Sequence, residues 1–303
     1  MDMKKNGFDA KNRLGEMVVI PAGNFMMGSS PDDSYAGKDE FPQHSVYLPE
    51  YRIGKYQVTR GEYRKFIEAG GYEEPKYWSA EGWAWKESDD VYHAGMYGHL
   101  TSCKRENLLS PRREPEHWAS EQEWIGHGHD HPVFIQTDSH PVVGVACHEA
   151  EAYCAWAGAR LPTEAEYEKA ARWDEANKHA RTWPWGDVWD AEKCKNKDAR
   201  GPIGGGYRTN RSTPVGSYLE GASPCGCLDM VGNAYEWCGD WAKSHPGNAE
   251  LFDFTGKYRF VKGGCWDDDQ HSNRCAFRGW YLPMNSGGTD ATDCDYVGFR
   301  LAL

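Results

Sequence analysis

The N-terminal part of the chain has one short apolar segment between polar stretches. Its β-branched residues and closing proline, Met17–Pro21, predict a first β-strand. Residues 1–15 before it are polar and charged, and residues 29–43 after it are rich in Ser, Asp, Gly and Pro. We therefore expect a polar lead-in, a short strand and a surface loop.

A capping box marks the first predicted helix. Thr59 is followed three positions later by Glu62, and the apolar residues of Tyr63–Ile67 then fall on one helical face. A pair of glycines at 70–71 ends the pattern. The sequence thus predicts a helix of about three turns.

Two more helices are predicted in the middle of the chain. The first covers approximately residues 148–157 and ends at Gly158, a residue type that favours helix termination. The second begins with another capping box, from Thr163 to Glu166, and continues to about Trp173.

The remaining segments predict irregular structure and short strands. In residues 72–137, tryptophans are scattered among charged residues. This pattern indicates a long irregular elaboration of the domain that is held in place by aromatic packing. From Val261 onward, short apolar runs alternate with polar turns. No repeat period of a solenoid or propeller is found.

Composition favours a single loop-rich domain. The chain has 303 residues, among them 14 Trp and 34 Gly, so large aromatic side chains rather than long aliphatic helices supply much of the packing. Because the motifs described below spread from residue 20 to residue 300, we expect one domain over residues 16–303.

Charge and hydropathy exclude two classes of partner. The formal net charge of −12 argues against nucleic acid, which is bound through clustered Lys and Arg. No run approaches eighteen apolar residues and the first residues lack a signal-peptide core, so no membrane association and a cytoplasmic location are expected. The ten cysteines are expected to be mostly buried free thiols.

Short motifs follow one another in a fixed order along nearly the whole chain. They are residues 20–28, Tyr56–Thr59, His140–Val145, Arg160–Glu168, Gly232–Trp237, Gly263–Trp266, Arg274–Arg278 and Gly298–Arg300. This ordered set resembles the sulfatase-modifying-factor family, the formylglycine-generating enzymes and their relatives. The resemblance implies an α+β, C-type-lectin-like domain with few helices, short twisted strands and much ordered loop.

One element of that family is missing. In its copper-dependent oxidases, two cysteines five positions apart follow the Gly-Gly element, whereas residues 267–273 here read Asp-Asp-Asp-Gln-His-Ser-Asn. Asp268 and Asn273 cannot provide the soft ligation that copper(I) requires. The resemblance therefore implies the fold without the family's oxidase chemistry.

The resemblance also implies a structural calcium site. Asp229, Gly232, Ala234 and Glu236 align with a family site that uses side-chain oxygens and backbone carbonyls, ligands that suit this hard cation. The alternative is that the two carboxylates cap turns.

Three histidines form a second candidate metal site. His127, His129 and His131 stand at alternate positions and would project from one face of an extended segment. Imidazole binds zinc, iron and copper, but three histidines on a surface loop are also commonly solvated side chains.

Several cysteines are weak candidates for chemistry. Cys265 and Cys275 flank the place of the family's active cysteines, and two thiolates there would select copper(I) or zinc; the alternative is core packing. Cys225 and Cys227 are separated by one residue, which is too tight for a relaxed disulfide between them, although either could pair with another cysteine.

The C-terminal region is a candidate binding surface. From Trp266 to Tyr296, polar and aromatic residues alternate with scaffold residues. This pattern resembles the variable tails of retroelement-diversified proteins with this fold, and such side chains give adaptable contacts. The alternative is an ordinary surface. The candidate ligand-binding residues are Asp267, Asp268, Asp269, His271, Asn273, Phe277, Trp280, Tyr281 and Asn285.

Two functions remain open at this point. The first is a domain that binds a protein or small-molecule ligand through this surface. The second is a copper- or iron-dependent oxidoreductase acting on a thiol, peptide or protein, with its metal held by Cys265 and Cys275 or by the histidines at 127–131.

Overall fold

The computed structural model describes most of the chain. The described residues are 13–88, 92–94, 100–102, 112–115, 118, 137–199, 212–248, 256–284 and 297–303. Their α-helices are α1 (Arg60–Glu68), α2 (Ala80–Glu87), α3 (Cys147–Ala157) and α4 (Glu164–Arg172). Their strands are β1 (Met17–Ile20), β2 (Gly23–Met27), β3 (His44–Leu48), β4 (Tyr51–Gly54), β5 (Tyr92–Ala94), β6 (Leu100–Ser102), β7 (Trp173–Asp174), β8 (His179–Ala180), β9 (Tyr235–Trp241), β10 (Arg259–Lys262), β11 (Gly279–Tyr281) and β12 (Val297–Gly298).

A four-stranded sheet organises the C-terminal half. Its strand order is β11-β10-β9-β12, with antiparallel pairs except for β12, which lies parallel to β9. In this register Gly298 lies opposite Glu236. The pairing therefore places the last residues of the chain beside the Gly232–Trp237 motif.

The N-terminal strands form two separate two-stranded sheets. β1 pairs with β4 and β2 pairs with β3, all antiparallel. Bridges from Ala302 to Ile53 and to Arg160 connect the end of the chain to β4 and to the segment before α4.

Local sequence signals account for three of the helices. The Thr59 side chain accepts from Glu62 N–H at the start of α1, and Thr163 does the same with Glu166 at the start of α4. Gly158 ends α3 in the left-handed conformation at φ 73°. These predicted helices are confirmed.

The segment after residue 72 is more regular than the sequence indicated. Ser79 caps α2 by accepting from Gly82 N–H. Trp78 is buried, and Trp83, Trp85 and Trp118 pack against the same core. The predicted aromatic packing is confirmed for these tryptophans.

Two hydrophobic clusters form the core of the described residues. The first contains Tyr63, Tyr153 and Trp237, with the Tyr63 and Tyr153 rings stacked at 5.4 Å. The second lies around Tyr167 and Phe260. None of the described helices is long and apolar enough to cross a membrane.

The loop at residues 29–43 is more deeply embedded than its composition predicts. Ser29 and Glu40 are buried, and a short 3-10 helix covers Lys38–Glu40. The reason is a long-range ion pair: Glu40 accepts from the buried guanidinium of Arg274. Burying Glu40 beside Arg274 keeps both charges paired, because an unpaired charge in the interior would be strongly destabilising.

Candidate functional site

A tight turn follows β10, and we call its residues 265–273 the acidic turn. Gly263 and Gly264 lead into it with φ +90° and +70°. A Cβ on Gly264 would lie 2.1 Å from Asn273 Oδ1, closer than any real contact. Glycine is thus required at position 264 by both conformation and space.

Internal hydrogen bonds fix the acidic turn. The Asp268 carboxylate accepts from Cys265 N–H at 2.9 Å, and Asn273 Nδ2 donates to Asp268 O at 3.0 Å. From outside the turn, Lys197 donates its N–H to Asp268 O at 3.1 Å and places Nζ 2.8 Å from Asp269 Oδ2. Asp268 and Asn273 therefore hold the turn in shape.

The carboxylates of the turn have different environments. Burial raises the pKa of Asp268, which lies beside the side chains of Tyr235 and Cys265. The hydrogen bond from Lys197 lowers the pKa of Asp269. Asp267 is exposed. Asp269 thus has a charged partner and Asp267 faces solvent, whereas the Asp268 carboxylate lies inside the turn.

The predicted ligand-binding residues divide by exposure. Asp267 and His271 are exposed, and Asp268, Asp269, Phe277 and Trp280 are half-buried. Asn273 is fully buried and Tyr281 is 3% exposed. Solvent therefore reaches the outer edge of the turn, whereas Asn273 and Tyr281 face the interior.

The aromatic candidates lie on different sides of the sheet. Trp280 and Tyr281 are neighbours in β11, so their side chains point to opposite faces. Tyr281 packs in the first cluster near Trp237, whereas Trp280 packs against the second cluster. Phe277 lies on the first side, 6.2 Å from the Tyr235 ring. Trp280 is therefore separated from Phe277 and Tyr281.

Tyr35 also belongs to this surface and is not among the predicted ligand-binding residues. Gln270 Nε2 donates to its hydroxyl at 3.1 Å, and its ring centroid lies 5.4 Å from that of His271. Tyr35 comes from the loop at residues 29–43, more than two hundred positions away. No local pattern in the sequence signals such a contact.

Cys265 and Cys275 are placed apart. Cys265 belongs to the first cluster and Cys275 to the second, where its Sγ lies 3.7 Å from Ala171 O. Burial raises the pKa of both thiols, that of Cys275 to about 12. Both thiols are thus protonated and lie in different hydrophobic clusters. In this arrangement they do not bind one metal ion together.

The whole chain matches one protein family. The match covers residues 3–303 and is to the sulfatase-modifying factor enzyme 1-like domain. The chain belongs to the sulfatase-modifying-factor family. The fold and family predictions from the sequence are confirmed.

Relatives of this family member differ in name and length. The hercynine oxygenase of Mycolicibacterium smegmatis is 34% identical over 282 residues, which are 89% of this chain and 58% of the relative. The formylglycine-generating enzyme of Bos taurus is 30% identical over 311 residues, 95% of this chain and 74% of that protein. The chain thus spans little more than half the length of the hercynine oxygenase.

Solved structures of two proteins share the fold. PvdO from Pseudomonas aeruginosa has a TM-score of 0.62 at 24% identity, and the similarity covers 99% of both chains. Treponema denticola variable protein 1 has a TM-score of 0.57 at 18% identity, with 94% of both chains covered. At these identities the similarity concerns the fold alone.

The four positions of the implied calcium site are filled by protein donors in this family member. Arg300 donates to both Glu236 oxygens at 2.6 and 2.7 Å. Gln57 Nε2 donates to Glu236 Oε1 at 3.1 Å and to Ala234 O at 3.0 Å. The Gln57 amide therefore lies where two calcium ligands would have to face a cation.

The other two positions are also occupied by hydrogen bonds. Asp229 Oδ2 accepts from Gly216 N–H at 2.6 Å, and Gly232 O accepts from Ala234 N–H at 2.8 Å. Burial raises the pKa of Asp229 to about 6. Within the described residues, no group of three His, Cys, Asp or Glu side chains could hold a metal ion. Arg300 and Gln57 thus already satisfy the Glu236 carboxylate, and the calcium site that the resemblance implies stays a prediction.

Some predicted site residues cannot be placed. His127, His129 and His131, the candidate histidine site, lie outside the described residues, as does Asn285. Their roles stay predictions.

Proposed function

We propose that this domain is a ligand-binding module and that its binding site is the turn surface, formed by Asp267, Asp269, His271 and Tyr35. The observation that carries the proposal is the acidic turn, which is closed by its own hydrogen bonds while Asp267 and His271 stay exposed. Polar tips on a rigid support lose little conformational entropy on binding.

The chemistry of the turn surface favours a ligand with positive charge and hydrogen-bond donors. Asp267 and Asp269 supply carboxylate acceptors at this surface, and Lys197 donates to Asp269. The whole chain carries a formal charge of −12, which attracts cations over longer distances. A basic segment of a partner protein or an ammonium-bearing small molecule fits this surface.

A retroelement-diversified origin of this surface is part of the proposal. It is supported by the alternation of scaffold residues with polar or aromatic residues from Trp266 to Tyr296, several of which could arise from Asn codons by changes of adenine alone. Sequencing the gene region in several isolates tests it: substitutions confined to adenine positions of these codons support diversification, and substitutions spread evenly along the gene contradict it.

A peptide selection tests the binding function. A random peptide library displayed on phage is selected against the wild-type chain, and binders are then compared on the Asp267→Asn and His271→Ala variants. Glu220→Gln, which removes one exposed charge elsewhere, is the matched control. We expect Lys- or Arg-rich peptides whose affinity falls about tenfold in each turn variant, a difference of about 1.4 kcal/mol, and stays unchanged in the control.

Two results of this selection would contradict the proposal. The first is a failure to enrich any peptide over an uncoated surface. The second is a set of peptides that bind the turn variants and wild type equally well. In either case the turn surface is not a binding site for basic peptides.

The alternative function is a metal-dependent oxidoreductase, favoured by one observation. The hercynine oxygenase that is 34% identical bears the name of an oxygenase. Copper or iron would then need ligands other than a Cys265–Cys275 pair, and the candidates are His127, His129 and His131. Bound redox metal lost in a triple alanine variant of these histidines would favour this alternative.

A further inference from the structure

A pair of thiols lies far from the acidic turn in sequence. Cys225 Sγ and Cys227 Sγ are 3.5 Å apart. Both belong to a tight turn in which Ser223 N–H donates to Cys227 O at 2.9 Å and Gly226 N–H donates to Ser223 O at 2.8 Å. This backbone holds both side chains toward the same point.

The intervening glycine gives this turn its conformation. Gly226 has φ +90°, and no atom lies within 4 Å of the position that a Cβ would take. Glycine adopts this conformation without strain. The turn can therefore adjust locally, without pushing against neighbouring atoms at this residue.

The two thiols differ in their access to solvent. Among the eight cysteines of the described residues, Cys225 is half-exposed and the other seven are buried. Cys227 is fully buried in the second cluster. The hydrogen bond between the two thiols lowers the pKa of Cys225 and raises that of Cys227. Cys225 is the accessible nucleophile, and Cys227 is its neighbour behind it.

We propose that Cys225 and Cys227 form a redox-active dithiol that exchanges with low-molecular-weight disulfides. The Cys225 thiolate attacks one sulfur of the disulfide, forms a mixed disulfide and releases one thiol. Cys227 then passes its proton to the departing thiolate as its sulfur attacks Cys225 Sγ, which breaks the mixed disulfide and releases the second thiol. The dithiol loses two electrons, and the external disulfide gains them.

The geometry makes the resulting bond a labile one. The two sulfurs must approach from 3.5 Å to about 2.05 Å, the length of a disulfide. A ring closed over one intervening residue departs from relaxed disulfide geometry, and strained disulfides are readily reduced. The bond therefore forms and breaks with the redox poise of its surroundings instead of stabilising the fold permanently.

Mass spectrometry of the folded protein tests this directly. The protein is equilibrated with mixtures of reduced and oxidised glutathione, quenched with acid, alkylated and digested with trypsin. The peptide 212–243 contains Cys225, Cys227 and Cys238. With rising oxidised glutathione, we expect it to lose two hydrogens and to carry alkylation on Cys238 alone, and dithiothreitol should reverse the change.

Cysteine variants test whether the disulfide forms between Cys225 and Cys227. Cys225→Ser and Cys227→Ala should both abolish the oxidised form, whereas the matched control Cys238→Ser should keep it at the wild-type glutathione ratio. Circular dichroism of the same samples shows whether each protein is folded. The wild-type and Cys238→Ser results alone decide the proposal should the pair variants fail to fold.

Three outcomes would overturn the proposal. Alkylation of both Cys225 and Cys227 at every glutathione ratio is the first. A glutathione adduct that persists on Cys225 without ring closure is the second. The third is a Cys225–Cys227 bond that appears only together with loss of the folded circular dichroism signal.

Discussion

Arg274 donates hydrogen bonds to both carboxylate oxygens of Glu40, from Nη1 at 2.8 Å and from Nη2 at 2.6 Å, across 234 positions of sequence. Both side chains are almost completely buried. Arg274 Nε also donates to His271 O at 2.9 Å. One guanidinium thus fixes the end of the acidic turn and ties it to the loop that supplies Tyr35.

Breaking this pair should destabilise the protein strongly. Glu40→Gln removes the bidentate carboxylate and leaves Asp33, 3.1 Å from Nη1, as the remaining ion-pair partner of Arg274. We therefore expect the free energy of unfolding to fall by about 1.5–3 kcal/mol. Urea denaturation followed by tryptophan fluorescence measures it. Glu16→Gln, which removes the exposed partner of Lys55, is the control and should cost less than about 1 kcal/mol. Equal losses in both variants would contradict the assigned role of Arg274.

Gly264 should be far less tolerant of alanine than another glycine of similar conformation. Gly264 and Gly256 have φ +70° and +67°, but only at Gly264 would a Cβ meet Asn273. We expect Gly256→Ala to cost about 1–2 kcal/mol for the left-handed backbone. Gly264→Ala should add roughly 1–3 kcal/mol for overpacking. Chemical denaturation of both variants checks this, and similar losses would mean that Asn273 yields without cost.

His245 should make the protein less stable in mild acid. Burial and the nearby Arg278 charge lower its pKa to about 4, whereas an unfolded histidine titrates near 6.5. Between these pH values the unfolded state takes up a proton that the folded state does not, so stability falls as pH drops through this window and levels off below it. The expected loss is on the order of 3 kcal/mol.

Comparing wild type with His245→Gln isolates the contribution of His245. The comparison is needed because protonation of Asp229 changes the stability in the opposite direction. Its raised pKa of about 6 lets the folded state bind a proton first, which adds stability as pH falls. Urea unfolding of wild type and His245→Gln from neutral pH to pH about 4 should therefore give curves that diverge in acid, with wild type losing more. His271→Gln, at an exposed histidine, should track the wild type. Parallel curves for His245→Gln would contradict the prediction.

Calcium should have no effect on the stability of the wild-type protein. Arg300, Gln57 and Tyr167 already donate to the Glu236 carboxylate, so no cation is needed to balance it. Thermal unfolding in excess calcium chloride and in EGTA should give the same midpoint, since a ligand that does not bind the folded state does not shift it. A higher midpoint in calcium would show that Gln57 gives way to the ion.

The sequence predicted those elements whose signals are local. The capping boxes at Thr59 and Thr163 and the glycine at 158 marked three helices to within about a residue, because each signal acts within a few positions of the chain. The family motifs predicted the fold. The placement of the acidic turn was not predictable in this way, since Arg274, Glu40 and Tyr35 meet only after the chain has folded.

The two sets of sulfur atoms illustrate the same limit. Cys265 and Cys275 are only ten positions apart, yet the sheet assigns them to different cores. The spacing of Cys225 and Cys227 is unfavourable for a disulfide, yet the Ser223–Cys227 turn places their sulfur atoms 3.5 Å apart. Distance between side chains depends on strand faces and turn geometry, which spacing alone does not specify.

The central claim is that this domain acts by binding a ligand and not through a redox metal. Elemental mass spectrometry of the purified protein, with and without added copper(I), tests it most directly when repeated on a Cys265→Ser, Cys275→Ser double variant. We predict copper and iron well below one equivalent per chain in both proteins, because the two thiols lie in separate clusters. Stoichiometric copper or iron in the wild type would contradict the claim, and its loss in the double variant would assign the metal to these cysteines.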